Sequence, residues 1–195
     1  MNQPRKFWMR WRVRTGYPVA VIYLLLANPT FRSICAGAII AFIGLAIRAA
    51  ASGHLRKDME LATSGPYART RNPLYFGSAF LAIGFAIAGW SLPEGALVVL
   101  YFAVFYYAVM RNEESDLLVR FGAPFSEYAA SVPLFFPSFI VSRSPSSSSA
   151  SSIQISAPFS WAQYRKNREY KAFIGAVGGV GILFLRMWIR TRFGL

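Results

Sequence analysis

An all-α membrane protein of four to five transmembrane helices is the fold class this sequence predicts, and three observations predict it. Hydrophobic residues make up 55% of the chain and charged residues only 15%, against about 25% charge in ordinary soluble domains. The apolar residues fall in runs that approach or reach the roughly 17–25 residues a spanning helix needs. Basic residues set a net charge of +13 and gather at the ends of those runs. That placement serves topology and contact with anionic lipid rather than nucleic acid.

Residues 1–14 carry Arg5, Lys6, Arg10, Arg12 and Arg14 with Phe7, Trp8 and Trp11 and no acid, a basic-aromatic segment suited to the headgroup level. The apolar run 17–27 is short and spans only if its helix begins near Trp11; Asn28-Pro29 then breaks it. Residues 33–51 form a second span whose small residues, Ala36, Gly37, Ala38, Ala41 and Gly44, permit close helix packing. Arg48 near its end is placed to snorkel to the interface. A polar stretch leads to Arg71. Pro73 then opens a third span, 73–90, because a first helical position needs no N–H. Residues 91–95 read as a tight loop into a fourth span, 93–110. The third and fourth spans form a hairpin that returns the chain to the side it left, so Arg71 and Glu113 are expected to face each other. Residues 113–130 read as helical and end in Val132-Pro133, with Phe135, Phe136 and Phe139 beyond, against lipid or the hairpin.

The expected organisation is a membrane core over 1–141, a Ser-rich flexible linker over 142–156, and a basic C-terminal segment over 157–195. Residues 172–189 are either a fifth span or an interfacial helix. Lys and Arg are dense in 1–14, 52–71 and 111–120 and sparse in 28–32 and 91–95, which puts the first three on the cytoplasmic side. A fifth span places Arg186, Arg190 and Arg192 on the opposite side, against that rule. Cys35 is the single cysteine, so no disulfide framework is expected. The first apolar stretch lacks a small-residue cleavage pattern, so no cleaved leader is expected either.

The chemistry-bearing residues concentrate at the mouth of the hairpin. Arg69 and Arg71 serve either as topology anchors or as a cationic ligand site. Glu113 and Glu114, adjacent where an apolar helix meets water, each disfavour the other's ionisation and call for cations or hydroxyls nearby. Metal is not expected: His54 is the one histidine and Cys35 sits in an apolar run. The glycine-rich run 175–181 lies inside an apolar helix with no preceding strand, so it reads as helix-packing surface rather than a nucleotide loop. Ser64 has no His/Asp setting for nucleophilic catalysis.

Two motifs carry a family resemblance. Gly53-His54, the run from Glu60-Leu61-Ala62-Thr63-Ser64-Gly65-Pro66-Tyr67, and Arg71-Asn72-Pro73-Leu74-Tyr75-Phe76-Gly77 resemble the first motif of isoprenylcysteine carboxyl methyltransferases. The phospholipid methyltransferases share that superfamily pattern. Glu113-Glu114, Leu117-Leu118, Phe121-Gly122, Phe125, Tyr128 and Val132-Pro133 are similar to the second, with order and spacing agreeing over about residues 50–137. Asn72 stands where the family usually has histidine. Val109 stands where prenylcysteine enzymes carry a substrate-side arginine, with Arg111 two residues on.

The resemblance implies an integral membrane methyltransferase that binds S-adenosylmethionine at the cytoplasmic face. Carried over by position, the cofactor-binding residues are His54, Leu61, Ala62, Thr63, Tyr67, Thr70, Arg71, Asn72, Pro73, Tyr75 and Glu113, with Arg111 and Glu114 toward the acceptor. It further implies a hydrophobic or lipid-like methyl acceptor, most directly the carboxyl group of an isoprenylcysteine-like acid. A phospholipid or other lipid amine is the alternative acceptor. A membrane reductase of related architecture and a non-enzymatic scaffold are the readings outside the superfamily. Membrane lipids are expected partners and nucleic acid is not.

Overall fold

A computed structural model describes residues 3–56, 60–138 and 158–193, with side chains from residue 14 onward. The expected linker 142–156, Phe139 and the basic and aromatic side chains of 1–13 lie outside the described residues. Among the described residues every regular element is helical.

The first helix, α1 (Gln3–Leu26), begins well before Trp11 and carries the basic segment in line with the apolar run. The second, α2 (Phe31–His54), starts in a capping box. Ser33 N–H donates to the Thr30 hydroxyl at 3.1 Å, and Thr30 N–H donates to the Ser33 hydroxyl at 2.9 Å, so two donors with no helical partner are satisfied. Pro73 opens α3 (Pro73–Gly89), which ends at Trp90 in the left-handed region, φ 50°. The fourth helix, α4 (Leu92–Phe121), is longer than its apolar run: it continues through Arg111–Glu114 without a break for 30 residues. The polar motif therefore rides on the same rigid rod as the membrane segment. Residues 91–95 are correspondingly no free loop. Glu94 lies in the first turn of α4, fully buried, at a helix end that favours negative charge. Gly122, at φ +57°, separates α4 from α5 (Ala123–Ser131). Two helices close the described chain, α6 (Trp161–Lys166) and α7 (Tyr170–Phe193).

Three helices, α2, α4 and α7, are long and apolar enough to cross a membrane; Arg14–Leu26 of α1 and the whole of α3 are shorter apolar helices. Helix α3 nevertheless lies along α2 at backbone contact. A Cβ on Gly37 would stand 2.2 Å from the Gly84 carbonyl oxygen, and one on Gly44 would stand 2.5 Å from that of Gly77. The Gly37/Gly84 and Gly44/Gly77 contacts are about two turns apart on each helix, and they bring the backbones together where lipid offers no hydrophobic driving force.

Helix α7 runs antiparallel to α2. At one end the Asn167 amide donates to the Ser52 and Leu55 carbonyls, each at 2.8 Å, which satisfies the otherwise open end of α2. At the other, Phe184 meets Phe31, ring centroids 6.2 Å apart. There Arg186 donates to the Ala27 and Leu25 carbonyls, each at 2.8 Å. The expectation that 175–181 is packing surface holds at Gly179, which takes the Phe85 ring. Gly175, Gly178 and Gly181 face open space.

These glycines make a paired prediction for thermal unfolding in detergent. Gly84→Ala places a methyl group 2.6 Å from the Gly37 carbonyl oxygen, where backbone must shift, and is expected to destabilise by about 1–3 kcal/mol. Gly181→Ala meets nothing within 4 Å and is expected to be neutral or to stabilise by up to about 1 kcal/mol. Equal melting temperatures for the two variants would rule out the backbone contact.

Candidate functional site

The site is assembled from three stretches far apart in sequence: the loop between α2 and α3, the polar part of α4, and the chain after α5. The loop turns at Gly65–Ala68, a single 3₁₀ turn. Glycine is required at Gly65 on two counts. Its φ is +57°, and a Cβ there would lie 2.6 Å from His54 Nε2. The other ring nitrogen of His54 lies 2.8 Å from the Ala50 carbonyl, and the ring meets Phe159 at 5.9 Å. His54 is thus a packed wall of the loop. Leu61, Ala62 and Thr63 follow it, half-buried.

The chain after α5 folds back across this loop and pins it. Tyr128 donates its hydroxyl to the Tyr67 carbonyl at 2.7 Å. The Arg71 N–H donates to the Pro133 carbonyl at 2.9 Å, and Ser138 N–H to the Arg69 carbonyl at 2.8 Å. The Thr70 hydroxyl donates to the Phe135 carbonyl at 2.9 Å and the Asn72 amide to the Leu134 carbonyl at 3.0 Å. Thr70 and Pro73 are buried. These contacts explain the two-motif spacing physically: the tail after Val132 supplies the carbonyls, and at Arg69 the Ser138 N–H, that hold residues 69–72 in a non-helical path.

The side chains of Arg71 and Tyr75 then project toward α4. Arg71 pairs with Glu114, not with Glu113 as the sequence led one to expect. Adjacent helical residues point about 100° apart, so only one of the two glutamates can meet Arg71. Glu114 accepts from Arg71 through Oε1 and from Arg111 through Oε2, the latter at 2.5 Å. Glu113 accepts from the Tyr75 hydroxyl at 2.7 Å. The Arg71 and Glu114 side chains are only 14% and 19% exposed, whereas Arg111 is 57% exposed, so one face of the cluster is dry and the other open. Arg71 Nε is buried and has no hydrogen-bond partner. Val109, one turn back, is buried.

Tyr67 is buried behind this cluster, and its phenol is pushed well above the usual range. Burial is the first cause, with Tyr128, Glu113 and Glu169 adding and Arg48 opposing. Tyr128 is raised by burial, with Arg71 opposing. Both phenols therefore stay protonated at neutral pH, and that of Tyr128 acts as a donor. Two residues of this outer layer escaped the sequence. Arg48 does not snorkel; it pairs with Glu169 at 2.5 Å and donates to the Ser78 hydroxyl. Glu169 comes from the turn between α6 and α7. The available signal was that Glu169 is the sole acid in 157–195 and Arg48 a charge in an apolar run.

Two clefts lie elsewhere, between α1 and α7. The first is lined by Leu24, Ile182, Leu185, Arg186 and Arg190 among others, the second by Gly16, Tyr23, Phe85 and Val98 among others. None of the site residues enters either.

Comparison with known proteins gives the class to which this helical membrane chain belongs, the integral membrane methyltransferases. The family model for phospholipid methyltransferase matches residues 31–123. The nickel-cobalt-cadmium resistance protein NccN of Alcaligenes xylosoxydans xylosoxydans is 33% identical over 145 residues, 70% of this chain and 67% of that protein. The cobalt-zinc-cadmium resistance protein CzcN of Cupriavidus metallidurans is 40% identical over 91 residues, 47% of this chain and 42% of that protein, so the match spans less than half of that relative. No solved structure matches the chain. The chain belongs to the phospholipid methyltransferase family, and is a membrane methyltransferase.

The strap over the loop is testable without any ligand. Tyr128→Phe removes the donor to the Tyr67 carbonyl and is expected to cost about 0.5–1.5 kcal/mol. It should also quicken protease cleavage between residues 122 and 138 in the folded protein. Unchanged melting temperature and cleavage rate would show that the strap does not hold the loop.

Proposed function

We propose that the chain transfers the methyl group of S-adenosylmethionine to a hydrophobic acceptor in the membrane, with carboxyl O-methylation of an isoprenylcysteine-like thioether acid as the reaction. The observation that carries this is the cluster at the hairpin mouth, where a buried, unpartnered Arg71 Nε sits beside a Tyr75–Glu113 pair. An orphaned buried guanidinium nitrogen calls for an acceptor, and a carboxylate such as the methionyl group of the cofactor suits it. Glu113 offers a carboxylate to an ammonium or to ribose hydroxyls, and Tyr67 and Tyr75 offer rings to an adenine or sulfonium. His54, Leu61, Ala62 and Thr63 border the same loop, and Thr70, Asn72 and Pro73 hold it in shape.

The cofactor, when bound, supplies an electrophilic methyl group. The residues of this chain have to bind and orient both partners and keep water away. Both Glu114 oxygens are taken by arginines, so Glu114 is a poor candidate for proton removal, and an acceptor that is already a carboxylate needs none. The exposed Arg111 is the cation to orient it. Under this proposal 1–141 carries the chemistry and 157–195 buttresses it, joined through 142–156.

Methylation of a lipid amine is the second reading, favoured by the phospholipid methyltransferase match. Both relatives are named for metal resistance; among the described residues no group of three or more His, Cys, Asp or Glu is placed to hold an ion.

Purified protein given methyl-labelled cofactor with a prenylcysteine acid, and separately with phosphatidylethanolamine, tests both. Carboxyl methylation yields label that mild alkali releases as methanol; amine methylation yields alkali-stable label. Glu113→Gln is expected to raise KM for the cofactor. Glu114→Gln with a carboxylate acceptor should lower kcat far less than the roughly 10²–10⁴-fold loss of a general base. Alkali-stable label together with a kcat loss of that size would move the assignment to an amine acceptor.

A further inference from the structure

We infer a second site, unconnected with methyl transfer: a groove between α1 and α7 that holds one anionic phospholipid of the opposite membrane leaflet. The two clefts, about 400 and 280 Å³ in volume, share Leu24 and Ile182 and so adjoin along one groove. Each lies at or near the 300–1,000 Å³ typical of small-ligand sites, about. The groove is graded from charged to apolar. At its mouth stand Arg186 and Arg190 with Asn28, followed by Leu185 and Ile189. Past the shared pair it is lined by Val19, Phe85, Val98 and Gly179 among others. Gly179 packs there against the Phe85 ring, which a side chain would strike. The groove follows α1 from Gly16 to Leu24, about 12 Å at 1.5 Å per residue, and continues past the helix end to Asn28, an elongated shape that suits an acyl chain rather than a compact solute.

Charge complementarity identifies the head. No acidic residue lines either cleft, and the sequences of α7 and of 14–26 contain none. Arg186 commits Nε and Nη2 to the end of α1, and Arg190 donates to the Asn28 side chain. Both therefore stand as fixed cations at the groove mouth. They also lie at the end of the bundle remote from Arg71 and Glu114, together with Arg192, where positive charge runs against the usual distribution. A phosphodiester headgroup seated between them neutralises that charge while its chain fills the apolar groove, much as basic pockets between membrane helices hold lipid phosphates.

The test uses the full chain in vesicles of equal phosphatidylglycerol and phosphatidylcholine, released and weighed by native mass spectrometry. The expected result is one retained phosphatidylglycerol per chain. Arg190→Gln should lower the preference over phosphatidylcholine about fivefold, the worth of one arginine at a membrane surface. Ile182→Trp, which adds bulk from an exposed position where the two clefts adjoin, should abolish retention of either lipid with the arginines intact. Binding of S-adenosylmethionine should be unchanged in both variants and reports their folding. Retention without headgroup preference, retention of a free fatty acid instead, or a bare protein mass for the wild type would overturn the proposal; so would an unaltered preference in both variants.

Discussion

The Arg71–Glu114 ion pair is the interaction on which the rest of the site depends. Two charges this poorly exposed at the edge of an apolar bundle are tolerable only when paired and hydrogen-bonded, so the pair ties the α2–α3 loop to one register of α4. The Arg71 backbone is fixed independently by Pro133. The residue thus joins three segments: its own loop, the polar turn of α4, and the strap after α5. Because α4 is unbroken from Leu92 to Phe121, holding Glu114 in place also holds Glu113 against Tyr75.

Behind that pair stands a layered support. Close glycine contacts seat α3 on α2, and Arg48 bridges from α2 to Ser78 on α3 and to Glu169 before α7. The C-terminal segment is therefore part of the structural frame. It satisfies the end of α2 through Asn167 and the end of α1 through Arg186. Backbone carbonyls at helix ends have few alternatives near a bilayer, which gives a physical reason for polar residues at both ends of α7.

Much of this was legible in the sequence, because membrane solvent imposes length and end-charge rules on every helix. The breaks at Asn28-Pro29 and Pro73, the small residues of α2 and the hairpin all follow from local chemistry. The convergence of residues 65–77 with 113–114 followed from the hairpin's return. What stayed hidden was register and distance. Whether Arg71 meets Glu113 or Glu114 turns on about 100° of helix rotation, which no apolar pattern reports. Arg48 and Glu169 are 121 residues apart, and a lone arginine near a helix end looks the same whether it snorkels or pairs inward. The glycines of α7 misled for a related reason: small residues show where close packing is permitted, and only Gly179 has a neighbour that uses it.

Under the proposed function, the buried Arg71 guanidinium anchors a carboxylate-bearing methyl donor. Equilibrium binding of S-adenosylmethionine to the purified protein, wild type against Arg71→Ala of verified folding, tests it most directly. Loss of a charge-assisted hydrogen bond of about 1.5–3 kcal/mol predicts affinity lower by about ten- to a hundredfold. Equal affinity in the two proteins, or no binding to the wild type, would contradict it.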